Sequence, residues 1–189
     1  MKYGERISSY FHPVTKKKQK ATALQPGRQQ PKQKHASKSS AVATTSRPWM
    51  LTGVLILVTF IVYASSLNNG WTNWDDEGYV LKNELLPSIH LNQIFSQFVM
   101  GNYHPVTVLV QAVEYQFFGA EAKGYHTISL LLHICNALLL FVFVRMFFRN
   151  DIAAFITALL FAIHPTHVES VSWVSAQKDL LYTGFFFAS

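Results

Sequence analysis

Two short stretches hold most of the side chains able to do acid–base or ligand chemistry. The first, Trp74-Asp75-Asp76-Glu77, sets three carboxylates in consecutive positions. Adjacent carboxylates repel unless a cation or hydrogen-bond donor is near. One of them can take a proton from a hydroxyl nucleophile or coordinate a metal. A solvated acidic loop is the simpler reading, and flanking Trp71, Trp74 and Tyr79 weigh towards a packed or ligand-binding site. The second stretch runs His164-Pro165-Thr166-His167-Val168-Glu169, followed by Lys178-Asp179. His at i and i+3 with a Glu two residues on is conceivable for zinc, but it lacks the H-E-x-x-H order of the zincins. Pro165 also disturbs a regular helix. Contact with an anionic head group, shared with Lys178, is the simpler functional role, and a polar loop at the membrane interface is the plain alternative. A third set, His126, Ser129, His133 and Asn136, falls within about 80° of arc on one helix, with Cys135 opposite. Such a stripe serves hydrogen bonding between helices or contact with a ligand.

These residues need elements to hold them, and the composition indicates which. Half of the 189 residues are hydrophobic, 15 are Phe and 14% are charged, against about 25% charged in a soluble domain. The charge is uneven: 11 of the 16 Lys and Arg precede Pro48, whereas Glu5 is the only one of the 10 acids that does. Residues 1–47, rich in Lys, Gln, Ser, Thr and Pro, have too little apolar surface to offset ordering entropy and are expected to be a disordered basic tail. A basic run directly before an apolar one marks the cytoplasmic side and favours contact with anionic lipid. This explains the charge without nucleic-acid binding. The single Cys135 rules out an intramolecular disulfide.

Residues 49–67 carry no charge and match the hydrocarbon thickness as a helix. The expected fold is all-α, a polytopic transmembrane helix bundle. Its spans cover about 49–67, 124–144 and 151–168, with an incomplete fourth over 180–189. Residues 68–123 form an outer loop, in which 89–98 has helical apolar spacing. Pro105–Phe118 reads there as an amphipathic helix with Val106, Val110, Val113 and Phe117 on one face and Gln111, Glu114 and Tyr115 on the other, interfacial at the membrane surface or packed on other spans. Arg145 and Arg149 mark the cytoplasmic side after the second span. The alternation brings the acidic and His-rich stretches to the same outer face. The last apolar run reaches about 15 Å, half a bilayer, so the chain reads as a piece of something longer. No internal repeat is visible.

The runs NWDDEGYVLKN, NYHPVTVLVQAVEYQFFG, GYHTISLLLHICNALLLFVF and FAIHPTHVESVSWVSAQKDLLYTGFF, taken in order, resemble a known family. It comprises the GT-C type membrane glycosyltransferases that carry tetratricopeptide repeats, among them the transmembrane and TPR-containing O-mannosyltransferases and their bacterial relatives. The resemblance covers Trp71 to Ser189. It implies an enzyme of the bacterial inner membrane or the ER membrane that moves a sugar, mannose first among them, from a polyprenyl- or dolichyl-phosphate donor to a hydroxyl acceptor, a protein for instance. Transfer takes place on the non-cytoplasmic face. Asp75 and Asp76 would be the catalytic pair, one acting as general base. His164, His167, Glu169 and Lys178, together with His104 of the second run and His126 of the third, would meet the donor phosphate or substrate. No cofactor follows, and a divalent cation stays open. Many relatives place Arg before the final Asp, where this chain has Gln177-Lys178-Asp179. Three and a half helices are too few for a complete donor pocket, so the piece alone is expected to be inactive. Two rival readings are a membrane-anchored interaction subunit or degenerate fragment, and a transporter piece with the stripe of span two lining a path.

Overall fold

The computed structural model describes residues 48–189, and the expected tail at 1–47 lies outside them. The described residues are helical, with no strand beyond an isolated bridge between Val99 and Asn102. The helices are α1 (Pro48–Tyr63), α2 (Leu91–Ile94), α3 (Pro105–Phe118), α4 (Ala122–Phe148), α5 (Asp151–Ala162), α6 (His167–Ser172) and α7 (Gln177–Ala188).

Two segments are long and apolar enough to cross a bilayer: α1 with its 3₁₀ continuation, 21 residues over Pro48–Asn68, and α4, with 27 residues. At the helical rise they reach about 32 and 40 Å, enough for a hydrocarbon core of about 30 Å. Most of α1 is uncovered: Val54, Ile56, Leu57, Phe60, Ile61 and Val62 are all exposed. A contiguous apolar surface of this kind needs a lipid or protein environment.

The third and fourth expected spans are corrected. The apolar run at 151–168 is a 12-residue helix that ends at Ala162, about 18 Å long and too short to cross on its own. Pro165 blocks its continuation, and the His133 Nε2 proton is donated to the Ala162 carbonyl at 2.9 Å. A separate short helix, α6, follows. The last run begins at Gln177 rather than Leu180, so α7 takes Lys178 and Asp179 into its first turn, where an acid is favoured by the helix dipole.

α4 is the hub of the bundle. Arg149, at φ 49°, turns the chain out of α4, and the Asn150 side chain caps α5 by accepting from the Ile152 and Ala153 N–H groups at 3.0 and 3.1 Å. Arg145 and Asp151 close this hairpin with an ion pair at 2.6 Å. Ala154, Ala158 and Ala162, one turn apart, are completely buried against a cluster that includes Leu55, Ala137 and Phe141. Small residues at this spacing let helix backbones approach closely where there is no hydrophobic drive between apolar helices in lipid. At the other end of α4, a Cβ added to Gly124 would clash with the near edge of the Phe118 ring. Gly124→Ala is therefore expected to cost about 1–3 kcal/mol through overpacking, read as a lower unfolding midpoint in detergent, with Gly53→Ala, whose Cβ would meet nothing within 4 Å, as the control that shows only the helix-propensity gain of alanine.

The α3 helix has the expected bounds, and its polar face is the one packed on the bundle. Gln111 and Glu114 are buried together with Thr107, Val108 and Ala112, whereas Val106, Val113 and Phe117 are exposed. Its polar side packs inwards on the bundle and its apolar side outwards. The helix expected over 89–98 shrinks to the single turn Leu91–Ile94, in which only Ile94 is buried. The N–H groups of Ser96 and Gln97 still bond back to Gln93, but Phe95 and Phe98 remain exposed.

Candidate functional site

The acidic stretch follows α1 through a 3₁₀ turn and is pinned from two sides. The Trp71 indole N–H donates to the Ala120 carbonyl at 3.0 Å and its ring meets Tyr125 edge-on at 5.0 Å. The His126 Nε2 proton is donated to Gly70 O at 3.4 Å. A helical turn then starts at Asp75 and widens into a π-helical turn over Glu77–Leu81, a geometry frequent at functional sites.

The two aspartates of that turn have different surroundings. Asp76 is fully buried. It accepts from the Thr72 N–H at 2.9 Å, from the Ser175 N–H at 2.9 Å and from the Ser175 hydroxyl. Three donors in a buried site make Asp76 a clamp, joining segments 99 residues apart. Asp75 is half-buried, and no side-chain hydrogen bond occupies it among the described residues. Ser175 lies in the 3₁₀ turn Val174–Ala176 just before α7, and the Lys178 ammonium donates to its carbonyl at 3.3 Å. The clamp thus gathers Asp75, Asp76, Lys178 and, through Gly70, His126. Glu77 is turned away into an exposed ion pair with Lys82 at 2.7 Å, which adds little to stability.

The remaining expected site residues lie in other groupings. His164 is exposed, and its Nδ1 accepts from the Thr166 N–H at 3.3 Å and pairs with the Thr166 hydroxyl at 2.8 Å. His167 packs its ring against Phe161, His133 and His164, with centroids 4.3, 5.3 and 6.3 Å away. Burial, and then the neighbouring His164, hold its pKa below the usual imidazole value. Glu169 is exposed. Among the described residues no three His, Cys, Asp or Glu side chains are grouped to hold a metal. His104 precedes α3 and shares a hydrogen bond with the Tyr182 hydroxyl at 2.9 Å, at the edge of an apolar cleft of about 260 Å³ between α3 and α7.

The polar stripe of α4 is buried throughout: His126, Ser129, His133 and Asn136 are at most 2% exposed, and Cys135 is exposed on the far side. Asn136 donates to Leu180 O at 2.8 Å, so part of the stripe binds helices together. Sequence reasoning overlooked a further buried pair. The Gln177 amide donates to Glu114 at 2.6 Å, both side chains being nearly inaccessible. Burial raises the Glu114 pKa to about 8, against the smaller opposing effect of the Gln177 hydrogen bond. Ser175 and Tyr182 were also overlooked. Nothing in their local spacing marks them, because their partners are distant in sequence.

No family model and no solved structure matches the chain. Curated relatives do. The human Protein O-mannosyl-transferase TMTC3 is 29% identical over 147 residues, covering 72% of this chain and 16% of that protein. Protein O-mannosyl-transferase F38B6.6 of Caenorhabditis elegans is 27% identical over 150 residues, 72% of this chain and 22% of its own length. The Drosophila melanogaster Protein O-mannosyl-transferase Tmtc3 is 32% identical over 108 residues, 47% of this chain and 12% of its own. The matched part of this chain thus spans less than a quarter of each of these relatives. The two long apolar helices point to membrane association, and the chain is similar to proteins named for O-mannosyl transfer.

Proposed function

We propose that this chain carries part of the active face of a multi-pass membrane O-mannosyltransferase of the GT-C type, with the segment before Pro48 in the cytoplasm and the loop holding Asp75 on the opposite side. The observation that carries this reading is the Asp76–Ser175 clamp. It brings an acidic turn and the ammonium-bearing start of α7 to one place, in a chain similar to mannosyltransferases.

In this reading the two aspartates divide the work. Asp76 is committed to the clamp and acts as a positioning residue, whereas Asp75 has acceptor capacity to spare. It takes the proton of an acceptor hydroxyl as that oxygen attacks the sugar carbon bonded to the donor's phosphate. Lys178, half-buried beside the same turn, offers a positive charge to the phosphate of a polyprenyl- or dolichyl-phosphate sugar as it leaves. The exposed apolar side of α3 and the cleft beside His104 lie towards the donor's hydrocarbon chain. His126 supports the acidic loop from below through Gly70. His164, His167 and Glu169 form a neighbouring rim that the donor head group meets.

The test uses the native protein extracted from its own membranes into lipid nanodiscs, with a lipid-phosphate mannose donor and a Ser/Thr peptide. Lys178→Ala is expected to raise the donor KM about tenfold, the equivalent of one charge-assisted hydrogen bond of ~1.4 kcal/mol, with little change in the unfolding midpoint. An unchanged donor KM removes Lys178 from the phosphate, and no transfer by the unaltered protein removes the assignment altogether.

A further inference from the structure

We propose that Trp74, held by Trp173, forms a stacking subsite for a sugar ring beside Asp75. The proposal rests on the mannosyl-transfer reading above, and names the side chain that would hold the sugar. Its basis is the register of the clamp. Trp74 stands two residues before Asp76, and Trp173 two residues before Ser175. Joining Asp76 to Ser175 therefore brings the two indoles together, with centroids 6.3 Å apart and planes at 75°.

The two rings have different roles. Trp173 is half-buried, and its indole nitrogen is inaccessible, so it is the fixed member. Trp74 is 73% exposed and rests on Trp173 in the edge-to-face arrangement that aromatic pairs prefer. That contact orients the outer ring while leaving most of its surface open. The surroundings are wet rather than oily: Asn73 and Glu77 are exposed and Asp75 is half-buried. An exposed indole flanked in the chain by the Asn73 amide and the open Asp75 carboxylate suits a ligand with one apolar face and a polar edge. A pyranose has that character, because its C–H bonds cover one face and its hydroxyls radiate from the rim. The ring would lie on Trp74 and turn a hydroxyl towards Asp75, the next residue in the chain.

The subsite can be tested by binding, without turnover. Saturation-transfer NMR on the native protein in nanodiscs, with methyl α-mannopyranoside as the probe, should show magnetisation reaching the sugar's C–H protons. Trp74→Ala should lower that transfer roughly fivefold, the loss of about one aromatic contact, while Trp74→Phe keeps most of it and Asp75→Asn leaves the C–H pattern in place. A second measurement uses Trp49→Phe/Trp71→Phe protein in nanodiscs carrying acyl-brominated lipid. The mannoside should alter the remaining indole emission, and the bromines should not quench it. Mannoside contact that survives Trp74→Ala overturns the subsite and leaves the mannosyl-transfer reading standing. Strong bromine quenching that Trp74→Phe abolishes makes Trp74 a membrane anchor and likewise overturns the subsite alone. No mannoside contact in the unaltered protein overturns both.

Discussion

Replacing Asp75 by Asn is expected to cut sugar transfer by about 10²–10⁴, the usual worth of a positioned general base, while leaving the unfolding midpoint close to that of the unaltered protein. The same change at Asp76 should act first on stability. Asp76 is fully buried and receives three donors, from Thr72 N, Ser175 N and the Ser175 hydroxyl. An Asn amide must point its own N–H groups at one of those sites, setting donor against donor and leaving a buried group unsatisfied. The cost is about 1–3 kcal/mol. In the proposed reading activity would fall with it, because the clamp holds the turn that carries Asp75 against the start of α7. Thermal unfolding and initial rates measured side by side separate the two cases. Ser175→Ala should share the stability loss of Asp76→Asn, since it removes one of the three donors, and should not reproduce the Asp75→Asn profile. If Asp75→Asn retains full transfer, the general base lies elsewhere.

The second large effect concerns pH. Glu114 is buried against α7, with its pKa raised from 4.5 to about 8. A carboxyl with a raised pKa in the folded state binds its proton more tightly when folded than when unfolded. Its contribution to stability is therefore greatest below about pH 4.5, declines as pH rises from there to about 8, and is level above that value. The slope for this one group approaches 1.4 kcal/mol per pH unit. Glu114→Gln keeps an oxygen to accept from Gln177 and removes the titration, so it should be more stable than the unaltered protein at pH 8, by an amount that shrinks towards pH 5. Denaturation in detergent at the two pH values checks the sign, with the difference between the proteins cancelling the other titrating groups. An equal gap at both pH values shows that Glu114 is ionised throughout.

Part of this architecture was legible before any coordinates. The uncharged run at 49–67 is long enough to span and does form a helix; 124–144 likewise, extended at both ends to Ala122 and Phe148. The stripe His126, Ser129, His133 and Asn136 was correctly grouped on one side of α4, because four residues at that spacing share a helix face wherever the helix sits. The third run misled because apolar content gives no helix length when a proline lies near one end. The chain breaks at His164-Pro165-Thr166 and returns as α6.

The inward polar face of α3 has a general cause. Periodicity divides a helix into an apolar and a polar face but does not say which one turns inward. In water the apolar face is buried. In or against a bilayer the lipid is as apolar as any core, so the apolar face of α3 turns out and its polar face turns onto the bundle. Composition and spacing alone pointed to a helical bundle over the described residues, with the two long apolar helices among a larger number of expected spans, and supplied a one-sided polar stripe and a pair of adjacent aspartates. Tertiary structure alone decided which aspartate is free. The difference between Asp75 and Asp76 is a contact with Ser175, 99 residues away, and identical neighbouring residues acquire different roles only when such a distant partner satisfies one of them and leaves the other open.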